Sequence, residues 1–468
     1  MRKWIMVLLA LISTTSFAQP WRQGINDLLH NELNNAEVGI MVRDAKTGAM
    51  LYEHNAYKAF TPASNMKLFT AAAALDDLGA NFQFHTTVHY NPKQLKQHSL
   101  RGNVYFKFTG DPSLRVRNLK QMVAKLHQQG VHQIHGKVVV DSSRFLPPNH
   151  APGWTYDSLH WAFSAPISAV ILNENKVSLK FEPSKTTGGQ VNIIPGRDMA
   201  YMKLQHSIST VSYQYSMKNC SLLLHVSRRN RISLGGCWPS EARGWKSFAV
   251  QNPPLYAENI IKATLKKNHI RLYGHVVSGI TPKHSKVMIN HSSKKLKTLL
   301  LRMMKNSDNV YAESLNKTLG YVGTGRGSFL EGVNTIKKVL ARLSNIDFER
   351  TTIVDGSGQS RYDLLTPDQI TRLLYVMTRD TRWFKTYYHV LPVGGVDGTL
   401  RYRFTSEDMR KRVHAKTGSM SGVSALSGYM TAGSGRRLVF SILINHVVGS
   451  IKQGRALEDQ ICQTLYQV

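Results

Sequence analysis

The sequence predicts an α+β protein, because helical and strand-like patterns occupy separate stretches of the chain instead of alternating along it. Residues 67–78 have the Ala and Leu richness of a buried helix, and helical periodicity returns after residue 254. Residues 82–254 contain short alternating runs between Gly, Pro, Ser and Asn, which is typical of strands. Residues 412–447 contain further strand-like runs punctuated by Gly. The later helices are predicted at 255–267, 296–304, 311–321 and 332–343.

Residues 1–18 contain the parts of a secretory signal peptide in the required order. Arg2 and Lys3 supply the charge, residues 4–12 are apolar, and Ser16-Phe17-Ala18 supplies the small residues of a cleavage site. A buried first helix is the alternative. We predict cleavage after Ala18 and export to the periplasm. No later stretch of about 18 residues is apolar without charge, so no membrane span is expected in the mature chain.

The first elements of the mature chain follow from local patterns. Apolar residues at helical spacing predict a short amphipathic helix over residues 21–33. Strand-like runs at 38–43 and 50–54 flank residues 44–48, whose Asp and Gly suit a hairpin turn. One further helix, at 118–129, is expected within the β-rich stretch.

Three cysteines are present, at positions 220, 237 and 462. An oxidising compartment would let Cys220 and Cys237 pair, and such a bridge contributes on the order of 3 kcal/mol. Cys462 is expected to be a packed thiol rather than a catalytic one. The chain has no Cys-x-x-Cys and no close His/Cys cluster, so no structural zinc site is predicted.

The formal net charge is +31, from 60 basic and 29 acidic residues. The basic residues are scattered along the chain. For an exported protein, the natural counterpart of such charge is an anionic cell wall or membrane surface, and nucleic acid is not an expected partner. General solubility in a basic proteome explains the charge equally well.

Three short motifs occur in order: Ser64-Asn65-Met66-Lys67, Ser307-Asp308-Asn309 and Lys416-Thr417-Gly418. None is specific alone, since Ser-x-x-Lys recurs at Ser292/Lys295 and Ser314/Lys317. Only their order along the chain and their spacing, taken together, support a functional interpretation.

Ser64 and Lys67 are expected to open a helix, where the three-residue offset places both side chains on one face. A desolvated lysine there can lose its proton and activate a serine hydroxyl, which is a weak nucleophile unaided. An ordinary serine cap beside a surface lysine is the alternative. It fits poorly, because the helix that follows is apolar nearly all round and therefore buried.

The second motif lies between two helical patterns, where a loop can present Ser307 and Asn309 in one direction. A hydroxyl there can relay a proton to a leaving amine, and an amide can bind a substrate carbonyl. Taken alone, an ordinary helix cap for the following segment is the favoured interpretation.

We expect the third motif to lie on an edge strand that faces a cleft, where Lys416 and Thr417 can hold a substrate carboxylate. Gly418 would leave room for the substrate backbone. A second Lys-Thr-Gly, at Lys46, lies in the predicted hairpin turn upstream of the nucleophile. We interpret it as part of that turn and not as the catalytic motif.

Together these motifs resemble those of the serine penicillin-recognising enzymes. Five segments are similar to one branch, the class C low-molecular-mass penicillin-binding proteins, or D-alanyl-D-alanine carboxypeptidase/endopeptidase family. They are Phe60-Thr61-Pro62-Ala63-Ser64-Asn65-Met66-Lys67, Gly110-Asp111-Pro112-Ser113-Leu114, Phe163-Ser164-Ala165-Pro166, Asp355-Gly356-Ser357-Gly358-Gln359-Ser360-Arg361 and Gly395-Val396-Asp397-Gly398-Thr399-Leu400. The resemblance runs across essentially the whole mature chain.

The resemblance implies a penicillin-binding transpeptidase-like domain, with an antiparallel sheet flanked by helices, formed by residues 19–81 and 255–468. The gap between Ser64 and Ser307 is far longer than a plain domain of this kind needs. Residues 82–254 are therefore expected to be a mainly β insertion of one or two domains, consistent with two or three domains for a chain of this length.

The resemblance also implies a mechanism without metal or organic cofactor. Ser64 attacks the carbonyl of the penultimate D-alanine of a peptidoglycan stem, with Lys67 as base. Backbone N–H groups of Ser64 and Ser419 form the oxyanion hole, and Ser307 with Lys416 passes a proton to the departing amine. β-Lactams would trap Ser64 as a slow ester.

Two further residues are implied to bind the stem peptide. Asp157 aligns with an acidic residue that faces the substrate amine, and Arg361 with an arginine that binds a stem carboxylate. The pair would suit a zwitterionic diamino acid terminus. A loop salt bridge is an equally weighted alternative for each. An extra residue between Asp157 and Phe163, and the small Ser421 after the third motif, depart from the family pattern.

Three rival functions remain. A serine β-lactamase needs a deacylation base, and neither Glu331 nor Glu349 lies in the expected Glu-x-x-x-Asn context. An α/β-hydrolase esterase needs Gly-x-Ser-x-Gly, which does not occur. A non-catalytic, basic wall-binding protein would have no use for the three motifs.

Overall fold

The computed structural model of the chain describes residues 20–31, 35–344, 346–349 and 351–468. The predicted signal peptide at residues 1–18 lies outside this range. None of the helices in the described range combines the length and apolar character that a bilayer crossing requires.

The first part of the chain follows the predicted order of helix, hairpin and buried helix. Its elements are α1 (Pro20–Asn31), β1 (Glu37–Asp44), β2 (Met50–His54) and α2 (Met66–Leu78). The strands β1 and β2 pair antiparallel. The Asp44 carboxylate closes the hairpin turn, since it accepts hydrogen bonds from the backbone N–H groups of Lys46 and Thr47, at 2.8 Å each. The Lys-Thr-Gly at this position is therefore part of a turn, as interpreted from the sequence.

The middle of the chain is mainly β, as predicted. Its strands are β3 (His85–Tyr90), β4 (Leu95–Lys96), β5 (Ser99–Leu100), β6 (Val104–Lys107), β7 (Gln133–Ile134), β8 (Val138–Asp141), β9 (Lys176–Glu182), β10 (Asn192–Pro195), β11 (Lys203–His206), β12 (Ser209–Val211), β13 (Leu222–Val226), β14 (Arg231–Pro239) and β15 (Gly244–Ala249). Two helices interrupt them, α3 (Val116–Gln128), which was predicted, and α4 (Tyr213–Asn219), which was not. Cys220 and Cys237 form a disulfide that joins the end of α4 to β14.

The last part of the chain returns to helices before its final strands. Its elements are α5 (Pro253–Lys267), β16 (Arg271–Leu272), β17 (Val276–Ser278), β18 (Lys286–Ser292), α6 (Leu296–Lys305), α7 (Asn309–Thr324), α8 (Phe329–Ser344), α9 (Pro367–Arg379), α10 (Phe384–His389), β19 (Val413–Met420), β20 (Val423–Thr431), β21 (Arg437–Asn445) and α11 (Ile451–Leu465). The helices α9, α10 and α11 were not predicted.

The main sheet combines strands from both ends of the chain, in the order β19-β20-β21-β1-β2. Its centre is formed by the antiparallel pairing of β1 with β21, in which Val38 lies opposite Ile444. Alternate side chains face opposite sides of a strand. In β21, Val439 and Leu443 pack against the helices α2, α7 and α9, whereas Phe440 and Ile442 face α1 and α11. The sheet is therefore covered by helices on both faces, and β19 is left at one edge.

The β-rich stretch has its own hydrophobic core, separate from the two cores of the main sheet. One of its sheets has the order β17-β8-β6-β3-β18, so two strands that follow residue 254 belong to it. Val276 lies beside Val138, and Asn290 lies opposite Thr87. The predicted boundary after residue 254 therefore falls inside a sheeted unit that continues to residue 292.

Candidate active site

Ser64 lies in a single 3-10 turn, Ala63–Asn65, which leads directly into α2. The sequence predicted Ser64 as part of the helix itself. The turn is held close to β19: a Cβ atom built at Gly418 would approach the Pro62 carbonyl oxygen to 2.8 Å and the Ala63 Cβ to 3.0 Å. The space at Gly418, which the sequence analysis assigned to substrate, is thus occupied by the turn that carries Ser64. The glycine lets the edge strand reach the candidate nucleophile.

Lys67 lies on the first turn of α2 and is fully buried. Its Nζ donates to Ser64 Oγ at 2.9 Å, to Asn309 Oδ1 at 2.7 Å and to the Ser357 carbonyl oxygen at 2.7 Å. Burial lowers the pKa of Lys67 to about 8, even though the carboxylates of Asp355 and Glu313 oppose the shift. A neutral amine is therefore accessible near physiological pH.

The second motif occupies the connection between α6 and α7. Ser307 has a positive φ of 55°, and Asp308 caps α7 by accepting from the backbone N–H groups of Val310 at 3.1 Å and Tyr311 at 3.4 Å. The helix-cap interpretation thus holds for Asp308. Asn309 opens the helix and contacts Lys67, so the same motif also reaches the serine–lysine pair.

Lys416 lies on β19, the edge strand of the main sheet, as predicted, and is fully buried. Its Nζ donates to Ser307 Oγ and to the Thr417 carbonyl oxygen, at 2.8 Å each. Burial, and then the nearby Lys67, hold the pKa of Lys416 well below its usual range. The hydroxyl of Thr417 donates to that of Thr399 at 2.8 Å. The third motif is therefore joined to the second through Ser307.

The segment that supplies the Ser357 carbonyl is fixed by two buried carboxylates. Glu313, one helical turn after Asn309, accepts from the N–H groups of Gly356 at 3.0 Å and Ser357 at 2.7 Å. Asp355 accepts from the N–H groups of Ser357 and Gly358, and from the Trp154 indole at 2.9 Å. Burial, and then the charge of Asp355, raise the pKa of Glu313 to about 8.

The β-rich insertion closes one side of the site. Asn309 Nδ2 donates to the Phe163 carbonyl oxygen at 2.9 Å and to Gln359 Oε1 at 2.8 Å. Gln359 in turn donates to Ser164. A cavity of about 400 Å³ opens between these segments, and Ser64, Ser419, Asp157 and Arg361 all line it. Asp157 and Arg361 are exposed, and Arg361 donates to the Ser421 carbonyl oxygen at 3.0 Å.

The structure thus brings the residues that the sequence assigned to catalysis and substrate binding to one region. It adds residues that sequence reasoning did not assign a role: Ser357, Gln359, Glu313, Asp355 and Thr399. Three of these residues, Asp355, Ser357 and Gln359, lie in a segment already noted for its resemblance. That resemblance did not indicate that the backbone carbonyl of Ser357 contacts Lys67. Glu313 could have been found from its four-residue spacing from Asn309 on a buried helix. Within the part of the chain that the structure describes, no three His, Cys, Asp or Glu side chains are arranged to hold a metal ion.

Comparison with known proteins gives matches over nearly the whole chain. The model of the D-Ala-D-Ala carboxypeptidase 3 (S13) family matches residues 22–468. The D-alanyl-D-alanine carboxypeptidase DacB of Haemophilus influenzae is 32% identical over 449 residues, which cover 93% of this chain and 91% of the relative. A D-alanyl-D-alanine carboxypeptidase of Actinomadura sp. strain R39 is 31% identical over 91% of this chain and 80% of the relative.

A solved structure agrees with this similarity. The crystal structure of penicillin binding protein 4 (dacB) from Haemophilus influenzae superimposes with a TM-score of 0.87 at 30% identity, and covers 94% of this chain and 98% of the other.

Proposed function

The chain belongs to the D-Ala-D-Ala carboxypeptidase 3 (S13) family, and we propose that it hydrolyses D-alanyl peptide bonds of peptidoglycan through an acyl-enzyme on Ser64. As a carboxypeptidase it releases the terminal D-alanine of a stem peptide. As a D,D-endopeptidase it opens the D-alanyl cross-link between two stems. The observation that carries the proposal is the fully buried Lys67, whose Nζ lies 2.9 Å from Ser64 Oγ.

In the acylation step, Ser64 Oγ forms a bond to the carbonyl carbon of the penultimate D-alanine, while its proton passes to neutral Lys67. The acceptors Asn309 Oδ1 and Ser357 O support this assignment, because they take the two N–H groups of a neutral amine and leave its lone pair facing Ser64. The backbone N–H groups of Ser64 and Ser419 hold the negative carbonyl oxygen. Loss of one such donor typically raises the barrier by roughly 3–4 kcal/mol.

Collapse of the tetrahedral intermediate breaks the C–N bond and needs a proton on the departing nitrogen. Ser307 passes this proton from Lys67 to the amine, supported by the Lys416 Nζ that donates to Ser307 Oγ at 2.8 Å. Water then attacks the ester, with Lys67 again accepting a proton. That proton returns to Ser64 Oγ as the C–O bond breaks, so the hydroxyl is restored. The shortened peptide leaves as a carboxylic acid and releases its proton to solvent.

Substrate binding is assigned to residues that surround the same cavity. Lys416 and Thr417 hold the terminal carboxylate of the peptide along the edge strand. Asp157 and Arg361, which line the cavity beside Ser64, contact the amine and carboxylate of a zwitterionic side chain in the stem. No cofactor takes part in these steps.

β-Lactams are proposed as inhibitors that acylate Ser64. The crystal structure of the Haemophilus influenzae penicillin binding protein 4 in complex with a novel β-lactam supports this, with a TM-score of 0.83 at 30% identity over 94% of this chain and 98% of that one. We also propose export to the periplasm with cleavage after Ala18. Peripheral contact with an anionic wall or membrane surface would follow from the net charge of +31.

Labelling with a fluorescent penicillin tests the nucleophile. The unaltered protein and a Ser292→Ala control, which removes the serine of the accidental Ser-x-x-Lys, should both be labelled, whereas Ser64→Ala should not. Rapid turnover of the penicillin would favour a β-lactamase instead. Absence of labelling in the unaltered protein would contradict the proposal and favour a non-catalytic wall-binding protein.

Mass spectrometry of purified muropeptides before and after digestion tests the reaction. Loss of one D-alanine from monomeric pentapeptides identifies carboxypeptidase activity, and conversion of cross-linked dimers to monomers identifies endopeptidase activity. Muropeptides that stay unchanged while Ser64 is labelled by penicillin would contradict the proposed substrate.

A further inference from the structure

A second cavity, of about 740 Å³, lies at the end of the main sheet opposite to Ser64. It is bounded by the ends of β20 and α9, the start of β21, α10 and the hairpin turn after β1. Gly418, next to the Ser64 turn, pairs with Ala425, and β20 ends at Thr431. The lining on β20 begins at Tyr429, so at ~3.4 Å per residue the cavity lies about 14–20 Å from the Ser64 site along this strand. Neither site can therefore contribute side chains to the other.

The lining of this cavity is strongly basic, with five Lys or Arg side chains and one Asp. The single acidic residue, Asp44, is ion-paired with Arg436 at 2.7 Å. Four cations remain, and in the described parts of the chain none of them forms an ion pair: they are Lys46, Arg379, Lys385 and Arg437. Lys46 belongs to the second Lys-Thr-Gly, whose turn places it at the rim. Cations that converge on a concave surface create a positive potential with room for a negatively charged ligand.

The wall of the cavity between these cations is aromatic. Phe384 and Tyr388 from α10 pack on Tyr429 from β20, with ring centroids 5.6 Å and 5.5 Å from it. The hydroxyl of Tyr429 donates to the Leu374 carbonyl oxygen at 2.8 Å, which fixes its ring in the sheet. These rings form a preformed apolar surface, as is common in ligand sites, and the volume lies within the usual ~300–1,000 Å³ of such sites.

We propose that this cavity is a non-catalytic binding site for a carboxylate-bearing stem peptide of peptidoglycan, which holds the polymer while Ser64 acts on another stem. The inference rests on the proposed function, since that function supplies the ligand. Stem peptides present several carboxylates to the basic rim, together with aliphatic carbons that can pack on the rings. The enclosed volume and the aromatic wall suit a discrete ligand segment, whereas peripheral membrane binding uses an extended apolar face flanked by cations.

The test is binding of isolated sacculi by the full chain in a Ser64→Ala background, which prevents digestion. Arg379→Glu combined with Lys385→Glu reverses two exposed cations of the rim. Lys93→Glu combined with Lys96→Glu makes the same charge change on the exposed β4 region, outside the cavity. We expect the rim variant to need at least fivefold more sacculi for half-maximal binding than the control variant. Equal thermal unfolding midpoints would show that both variants are folded.

A second measurement uses the same charge changes with Ser64 intact. The rim variant should release D-alanine from a short soluble peptide at the control rate, yet digest sacculi several-fold more slowly. Equal binding and equal digestion of sacculi by the two variants, or no binding by the unaltered protein, would overturn the inference. A rim variant that binds sacculi as the control does, but binds phosphatidylglycerol vesicles more weakly, would also overturn the inference and would identify a lipid site. Failure of the proposed function is distinct, since it appears as absent penicillin labelling of the unaltered protein.

Discussion

The Nζ of Lys67 and the Oγ of Ser64 lie 2.9 Å apart, and Ser64 is the only one of the three hydrogen-bond partners found for this amine that can itself donate a proton. Asn309 Oδ1 and the Ser357 carbonyl can only accept. When Lys67 is neutral, its two N–H groups satisfy these acceptors and its lone pair is directed at the hydroxyl. The surroundings of the lysine therefore lower its pKa and orient its neutral form toward Ser64.

Replacement of the base should stop acylation without unfolding the protein. Lys67→Met keeps most of the buried volume and removes the amine, so the second-order rate constant for acylation by penicillin should fall by roughly 10²–10⁴-fold. Lys295→Ala, in the accidental Ser292/Lys295 pair on the surface, is the matched control and should acylate at the unaltered rate. A Lys67→Met protein that acylates within threefold of the control would show that another group is the base.

The rate of acylation should rise with pH as Lys67 loses its proton. Its pKa is lowered to about 8 by burial, and only the neutral form accepts the Ser64 proton, so the rate should rise with pH and reach half its maximum near pH 8. The measurement is the acylation rate constant between pH 6 and 9.5 with a β-lactam that is stable over that range.

Glu313 also titrates close to pH 8, because burial and Asp355 raise the pKa of its carboxyl. Glu313→Gln distinguishes the two groups: the rise with pH should persist in this variant if Lys67 is the base. A pH-independent rate in Glu313→Gln would assign the profile to the carboxyl instead.

Glu313 should act as a positioning residue for the Ser357 carbonyl. Glu313→Ala leaves the Gly356 N–H without its acceptor, and a buried group left unsatisfied costs about 1–3 kcal/mol. The Ser357 N–H loses its bond to Glu313 and keeps the one to Asp355. We expect a lower free energy of unfolding together with slower acylation, and partial rescue of both in Glu313→Gln. The exposed Glu407→Ala is the control, measured by thermal unfolding and penicillin labelling. Unchanged acylation in Glu313→Ala would show that the segment does not need this anchor.

Arg361 should affect peptides but not simple penicillins. Arg361→Ala removes a guanidinium from the rim of the Ser64 cavity, so kcat/KM for a peptide with a zwitterionic diamino acid should fall by roughly 10-fold or more, mainly through KM. Arg361→Lys keeps the positive charge but loses the planar guanidinium, so its kcat/KM should lie between those of the unaltered protein and Arg361→Ala. Steady-state kinetics on paired peptides, with and without the free carboxylate, checks this. An equal loss on both peptides would remove Arg361 from substrate recognition.

Several parts of the site were predictable because their information is local. The three-residue spacing of Ser64 and Lys67, followed by an apolar helix, predicted a buried amine beside a hydroxyl, and the structure has both. The Asp and Gly around Lys46 predicted the hairpin turn. Only the detail differs, since Ser64 lies in a 3-10 turn just before α2.

Other parts of the fold depend on packing that a linear pattern does not contain. The helix α9 is different: Ile370, Leu373, Leu374 and Met377 lie at helical spacing behind a Thr366 cap, so its signal is local although the helix was not predicted. The edge of the insertion was missed because β17 and β18 are paired with strands more than 100 residues earlier in the chain.

The sequence by itself determined which chemical groups are available and that the lysine after Ser64 must be buried, because residue type, helical spacing and apolar flanks are local properties. The tertiary structure alone decided that Ser307 reaches Lys416, that Asn309 and the Ser357 carbonyl orient Lys67, and that Gly418 adjoins the Ser64 turn. These contacts join segments that are 109 to 290 residues apart in the hydrogen-bonded pairs. They form only when β1 pairs with β21 and closes the main sheet, since hydrogen bonding and burial across the whole sheet fix the positions of groups that have no local preference for one another.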